Sequence, residues 1–274
     1  SIPLVIYGVI AGASIGNLFL AGMVPGIILA LALCIYVCYI ANKRNYPSGR
    51  KYAGMEFIKM TVSAVPALLT PIILLMGIYT GIMTATEAGA VAALYALLIS
   101  VFAYRSITLS EFIQVLKNTV KSTGQIGIML GAAYVFSYVI AVENLPSLAG
   151  NLILSFATTK VSFLVFVNIL LFILGMLLDS AVLQLVLLPI LCPIAQSFGI
   201  DMVHFGVVFT LNTMIGLCTP PFGMLLFIVT GISGEKMNTI IKEVMPMVFV
   251  MVLVLILVTF VPDVIMWLPR LFGR

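Results

Sequence analysis

Apolar residues run along this chain in blocks too long for an ordinary strand. Asn17–Ala41, Ala64–Thr80, Thr84–Tyr104, Ser122–Val142 and Val244–Val261 are each close to the 20 or so residues that carry a helix across a bilayer core. Shorter pieces lie between them. Ser1–Ala11 is a half-length segment, and Gly54–Ser63 and Glu235–Glu243 read as interfacial. Ser110–Lys121 is amphipathic, with Glu111, Lys117 and Lys121 on its polar face. Glu143–Gly150 is a turn and Asn151–Thr159 a short apolar piece. Ser162–Leu178 and Ala181–Phe198 flank a Leu-Asp-Ser step at Leu178–Ser180. A β-barrel would alternate polar and apolar positions over ten-residue segments, and these runs do not. The pattern predicts an all-α polytopic membrane protein.

Composition agrees. The 274 residues are 63% hydrophobic and 8% charged, where soluble domains carry about 25% charge. The mean hydropathy is +1.27. The net charge of +4 has a topological reading. With the polar linker Asn42–Lys51 in the cytoplasm, 10 of the 13 basic residues fall inside, and Lys160, Arg270 and Arg274 fall outside. That count requires Ser162–Phe198 to enter and leave on one side. Two ordinary crossings would serve equally. Asp179, at the turn of two short arms, favours a re-entrant hairpin with its tip at mid-depth. No nucleic-acid partner is expected from this charge. The four cysteines (Cys34, Cys38, Cys192, Cys218) sit in apolar runs without metal spacing and read as small hydrophobes. There is no GxxxxGK[ST] phosphate loop, hence no expected ATP hydrolysis, and one histidine leaves little room for acid–base catalysis. The protein is not expected to be an enzyme. Ser1 opens in the middle of an apolar segment, so an upstream portion is expected.

One apolar run is interrupted at mid-depth. Within Val203–Ile232 stands "GLCTPPFG", Gly216–Gly223. Unpaired backbone groups cost several kcal/mol each in lipid, so a broken helix persists where it lines a cavity or binds something. Pro220 and Pro221 donate no backbone hydrogen bond, which frees carbonyls of the preceding turn, and Thr219 adds a hydroxyl. Such neutral oxygens suit Na⁺. The half-helix that follows begins near Gly223, and its N-terminus favours an anion. One break can therefore hold both a cation and a carboxylate.

The unit recurs. At an offset of 221 residues, Ser1 lies over Phe222, Leu4 over Leu225 and Pro25 over Pro246. A short apolar half-helix, a Gly/Ser turn and a Pro-marked long span repeat in order. The first copy ends inside and the second outside, as in the inverted-topology repeats of secondary transporters. The expected organisation has residues 1–41 as the end of a first repeat and 42–63 as a cytoplasmic linker and interfacial helix. Residues 64–274 form the second repeat, with scaffold helices, a re-entrant hairpin at about 162–198, a broken helix at about 203–232 and a last span at 244–261.

Four blocks, "GLCTPPFG", "FGIDMVHFG" (Phe198–Gly206), "GIYTGIMTATEAGAVAALYA" (Gly77–Ala96) and "SIPLVIYGVIAGASIGNLFLAGMVPG" (Ser1–Gly26), resemble the large membrane subunit of tripartite ATP-independent periplasmic (TRAP) transporters. The resemblance covers essentially the whole chain. It implies a Na⁺-coupled importer of organic acids in the bacterial inner membrane, of the C4-dicarboxylate or sialic acid type. A transport domain would move as an elevator against a scaffold. The implied partners are a small membrane subunit, separate or fused, and a periplasmic substrate-binding protein. A first hairpin with a Ser-Gly-Ser-type tip would lie upstream of Ser1.

Carried onto this sequence, the family pattern places a hairpin tip near Gly175, Asp179 and Ser180, with Pro189 and Pro193 in the return arm. The implied Na⁺ ligands are Gly175, Asp179, Gly216, Thr219 and the carbonyl of Phe222. The implied substrate residues are Ser1, Ser180, Asn212, Pro221 and Gly223, with Ser1 and Ile2 at the symmetry-related break. Glu87 reads as a cap or inter-helix bond before a transport residue, His204 as a local hydrogen bond, and Asp201 as a helix N-cap. Two rival functions remain. A stand-alone Na⁺/carboxylate transporter would need no binding protein. A non-transporting scaffold would show buried Lys/Glu relays, and only Glu87 and Asp179 come near that.

Overall fold

The computed structural model describes residues 1–47, 49, 54–144, 153 and 156–272. Ser48, Arg50 and Lys51 of the linker, most of the turn and apolar piece expected between Glu143 and Thr159, and Arg274 fall outside it. The described residues form helices α1 (Ile2–Ala11), α2 (Ile15–Lys43), α3 (Gly54–Tyr79), α4 (Ala85–Leu98, prolonged by a π turn over Ile99–Ala103) and α5 (Leu109–Val142). There follow α6 (Lys160–Gly175), α7 (Ser180–Ser197), α8 (Met202–Gly216), α9 (Met224–Ser233), α10 (Met237–Phe260) and α11 (Asp263–Phe272). Among the described residues, six helices are long and apolar enough to cross a membrane: α2, α3, α4 with its π turn, α5 up to Ile140, α7 and α10. At 1.5 Å per residue, the ten residues of α1 and of α9 reach about 15 Å, half a bilayer core of about 30 Å.

Three boundaries differ from expectation. Gly54–Ser63 is not a separate interfacial piece but the start of α3, and Ser110–Lys121 is continuous with the following span in α5. Met237–Glu243 likewise opens α10. Polar residues at these joins change which face meets water without removing a backbone hydrogen bond, so the helices continue. α11 was not anticipated. It is short and strongly amphipathic, with an Asp263–Arg270 ion pair at 2.7 Å on its polar side.

The helix starts follow local chemistry. Thr84 accepts from the Glu87 N–H, and the Glu87 carboxylate accepts from the Thr84 N–H at 2.8 Å, a capping box that starts α4. Thr159 and Ser162 do the same for α6. Asp201 Oδ1 accepts from the N–H groups of Val203 and His204 and starts α8.

Contacts divide the chain into two compact units. Arg44–Ile128 holds α3, α4 and the start of α5. There α3 buries none of its residues, and two tyrosines on the neighbouring segment clip it: Tyr95 donates to Pro66 O at 3.0 Å and Tyr104 to Ser63 O at 2.7 Å. The other unit, Ser1–Lys43 with Met129–Arg274, holds a large apolar core built from both chain segments. Phe163 stacks between Phe198 and Phe205. Tyr7 packs flat over Gly206, where a Cβ would fall on its ring, and its hydroxyl donates to Met202 O at 2.7 Å. Tyr7 thereby locks α1 against α8, and Leu18 of α2 presses on the same glycine.

Within this unit, α1 with α2 and α9 with α10 share a local pattern. Each pair is a ten-residue helix ending at a left-handed glycine, Gly12 or Gly234, followed by a long helix with an internal proline, Pro25 or Pro246.

Candidate functional site

The break in the Val203–Ile232 run and the turn between α6 and α7 meet. α6 stops at Gly175 and α8 at Gly216, and their backbones touch there. A Cβ on Gly216 would lie 2.7 Å from the carbonyl carbon of Gly175, and one on Gly175 would lie 3.3 Å from Gly216 Cα. Only glycine pairs allow so close a crossing. Just beyond it, the Gly223 N–H donates to Met176 O at 3.1 Å, which joins the hairpin tip to the break directly. Gly223 sits at φ +47°, where a Cβ would also press on Thr219 O at 2.8 Å.

Between those points the chain tightens. Cys218 N–H donates to Ile215 O and Thr219 N–H to Gly216 O, both three residues back, and Leu225 N–H reaches Leu217 O at 3.2 Å. The Pro220–Pro221 peptide is cis. Among the described residues no donor reaches the carbonyl oxygens of Pro220, Pro221 or Phe222. The Thr219 hydroxyl is buried and donates to Ile215 O at 2.9 Å, which leaves its lone pairs available. A cavity of about 140 Å³ opens beside the tip, lined by Met176, Leu177, Leu178, Leu217, Phe222, Met224 and Phe227. Every lining side chain is apolar, so backbone atoms must supply any polar contact a guest makes there.

Behind the tip, α7 and α8 share a buried polar seam. Ser180 Oγ lies 2.8 Å from Thr213 Oγ1, and Gln184 Nε2 donates to Thr210 Oγ1 at 3.4 Å. Thr213 has one proton and two carbonyl neighbours that only accept, Phe209 O and Thr210 O, each at 3.1 Å. Either hydroxyl can be the donor of the Ser180–Thr213 pair.

The residues singled out in the sequence are thus distributed unevenly. Gly175, Gly216 and Gly223 converge, with Thr219, Pro221 and Phe222 on the same turn. Asp179 stands at the tip, but its Oδ1 accepts from the Ala181 N–H at 2.8 Å and caps α7. Ser180 faces α8. Asn212 turns to α6, where Nδ2 donates to Asn168 O at 3.0 Å and Asn168 Oδ1 at 2.8 Å. Ser1 precedes α1, exposed, with no side-chain capping bond. Glu87 serves its own helix, in the other unit. His204 reaches farther than a local bond: its Nε2 lies 3.0 Å from Val258 O on α10.

Gln184, Thr210, Thr213 and Met176 were not anticipated. A signal existed for the first three. Ser180 and Gln184 are spaced i, i+4, and Thr210 and Thr213 i, i+3, so each pair projects from one face of an apolar helix. Met176 contributes only its carbonyl, which no side-chain pattern reports.

The family described as tripartite ATP-independent periplasmic transporter, DctM component, matches residues 1–264. The sialic acid TRAP transporter large permease protein SiaM of Vibrio cholerae is 40% identical over 272 residues, which is 99% of this chain and 64% of that protein. The C4-dicarboxylate TRAP transporter large permease protein DctM of Pseudomonas aeruginosa is 34% identical, over 100% of this chain and 64% of its own length. The sialic acid TRAP transporter permease protein SiaT of Haemophilus influenzae is 37% identical, over 99% of this chain and 44% of its own. The chain thus spans less than two thirds of each of these relatives. With the Gly175–Gly216 crossing and the double-proline break inside the matched stretch, the 274 residues belong to the DctM component family of TRAP transporters, the large permease subunits.

Proposed function

We propose that this chain is part of the permease subunit of a Na⁺-coupled secondary importer of organic acids in the bacterial inner membrane. It works with a small membrane subunit and receives its substrate from a periplasmic binding protein. The observation that carries the reading is the join between tip and break: two glycine backbones in contact, a Gly223-to-Met176 hydrogen bond, and unclaimed carbonyls at Pro220–Phe222. In a bilayer, such irregular backbone is tolerated where it serves an ion or a guest.

In this cycle Na⁺ is held by backbone oxygens around Gly175, Gly216 and Phe222 and by the Thr219 hydroxyl, with Asp179 beside them. The substrate carboxylate sits at the N-terminus of α9, next to Pro221 and Gly223, with Ser180 at the start of α7 among the substrate residues. Ser1 completes the site from the repeat-related side, while Asn212, expected there from the sequence, has its amide turned to Asn168. Na⁺ orders the tip and lets the loaded unit cross as an elevator. The paired patterns of α1–α2 and α9–α10 support an inverted repeat. The names of the relatives, sialic acid and C4-dicarboxylate permeases, favour those acids as substrates.

The test is uptake of labelled sialic acid or succinate into proteoliposomes. These would hold the complete large subunit with its small partner, under an inward Na⁺ gradient, with and without the binding protein. Uptake that needs both Na⁺ and the binding protein is the expected result. Uptake without the binding protein would favour a stand-alone carrier, and uptake indifferent to Na⁺ would overturn the ligand assignment.

A further inference from the structure

The hairpin tip, Met176–Asp179, runs from the end of α6 at Gly175 to the start of α7 at Ser180. Both ends of that loop rest on one residue of α8, Thr213. At the first end, backbone meets backbone: a Cβ on Gly175 would lie 3.3 Å from Thr213 O and 3.4 Å from Thr213 Cα. At the second end, the hydroxyls of Ser180 and Thr213 are bonded at 2.8 Å. Thr213 also holds the start of the break, because its carbonyl accepts from the Leu217 N–H at 3.1 Å. It is fully buried and is not among the residues that line the cavity beside the tip.

The two anchors differ in kind. The Gly175 contact limits how closely α6 can approach, but it does not stop the loop from lifting. The Ser180–Thr213 bond pulls. Among the described residues, one other side-chain hydrogen bond joins α7 to α8, from Gln184 Nε2 to Thr210 Oγ1. At 3.4 Å it is near the limit for such a bond. The shorter bond therefore carries most of the polar hold, and it sits where water does not compete. The tip's apolar side chains leave its backbone to make polar contacts, as Met176 O does with the Gly223 N–H. The place of those backbone atoms follows from the place of the loop's ends. A loop fixed at both ends has already met part of the ordering cost that binding would otherwise carry.

We propose that Thr213 is a positioning residue of this site: its hydroxyl holds the tip against the break, so that the backbone oxygens of both stand in register before a guest binds. Its consequence for Na⁺ rests on the transport reading above, and its consequence for the order of the tip does not.

The experiment is hydrogen–deuterium exchange, read by mass spectrometry, on the complete large subunit with its small partner. Thr213→Val keeps the branched shape and removes the hydroxyl, and Thr213→Ser keeps the hydroxyl. In Thr213→Val, peptides covering Met176–Ala181 and Gly223–Leu226 should exchange about three- to tenfold faster, the worth of one buried hydrogen bond. Val167–Leu171 of α6 should be unchanged, and Thr213→Ser should match wild type. If Thr213→Val assembles poorly, Ser180→Ala, which removes the same bond from the tip side, is read in its place. Unchanged exchange at the tip overturns the proposal. So does equal acceleration through Val167–Leu171, which would make the hydroxyl a general stabiliser, and so does a Thr213→Ser protein that behaves as Thr213→Val. In uptake, the Na⁺ concentration for half-maximal rate should rise by the same factor in Thr213→Val with the maximal rate kept. A loosened tip with an unaltered Na⁺ requirement overturns the positioning role. Wild-type uptake indifferent to Na⁺ would fell the transport reading alone; the half-saturating concentration of the acid then takes the place of that for Na⁺, and exchange at the tip decides as before.

Discussion

Gly216 lies so close to Gly175 that a methyl group on it would sit 2.7 Å from the Gly175 carbonyl carbon. The obstacle is backbone rather than a side-chain end, so neither helix can yield without shifting its axis. This contact sets the spacing between the tip and the break.

Gly216→Ala should therefore separate α6 from α8 and disturb the Gly223-to-Met176 bond. Overpacking of this kind costs about 1–3 kcal/mol, and uptake should fall more than tenfold even in the protein that folds. Gly231→Ala is the control: it meets nothing within 4 Å and should gain slightly from helix propensity. Equal behaviour of the two variants, in thermal melts and in uptake, would remove the crossing from the argument.

Thr219→Ala should raise the Na⁺ concentration for half-maximal uptake several-fold with little loss of folded protein. Thr219→Ser, which keeps the hydroxyl, should stay near wild type. Parallel losses of uptake and assembly in both variants would mark the residue as a packing group.

Asp179 separates two roles. As an N-cap it accepts from the Ala181 N–H, and asparagine caps about as well as aspartate. Asp179→Asn should retain the melting temperature, whereas Asp179→Ala should cost about 1 kcal/mol. A stable Asp179→Asn variant with impaired Na⁺ dependence would assign the charge to the ion. Unaltered Na⁺ dependence would leave Asp179 as a cap alone.

His204 has a structural duty that follows from Pro262. Val258 O would look four residues ahead for its helical donor, but that residue is a proline and the chain leaves the helix at Val261. The imidazole Nε2 at 3.0 Å takes the vacant place. His204→Leu should cost about 1–3 kcal/mol through the buried carbonyl it orphans, read as a lower thermal midpoint. His204→Gln should recover part of it. A proton-coupling role would instead move the pH profile of uptake in both variants.

Glu87→Gln should be nearly silent, because glutamine completes a capping box as glutamate does. A large loss of uptake with normal stability would bring the Glu87 charge into the transport cycle.

How much of this was readable beforehand depends on the kind of atom involved. The break was legible at "GLCTPPFG" because proline and glycine announce backbone geometry by their identity. Asp179 read as a hairpin-tip ion ligand, and its cap on α7 shows only in the structure, whereas Asp201 and Glu87 were legible as caps because a side-chain acceptor at a helix start has a local target. The approach of Gly175 to Gly216 was not, since neither residue has a side chain whose periodicity could reveal a partner 41 positions away. The join at Met176 was hidden for the same reason: a carbonyl is present at every residue. The orientation of Asn212 depends on Asn168, 44 positions earlier, and a polar residue one turn from the break reads equally well as facing either way. The continuity of α3, α5 and α10 was missed because polarity changed along them while the backbone did not.

Among the described residues, the buried polar side chains of the larger unit include no carboxylate, lysine or arginine, and Asp179 stands at the hairpin tip. In the proposed cycle a fixed charge that travels with the protein on the loaded stroke comes back on the empty one, and its electrical work cancels. Only the cargo counts. One Na⁺ with a monocarboxylate would cross as a neutral pair, indifferent to voltage. Each additional Na⁺ would be drawn inward by about 2.3 kcal/mol per 100 mV. The current measured per molecule of acid delivered, with the negative charge of that acid added back, would therefore report the number of Na⁺ ions carried.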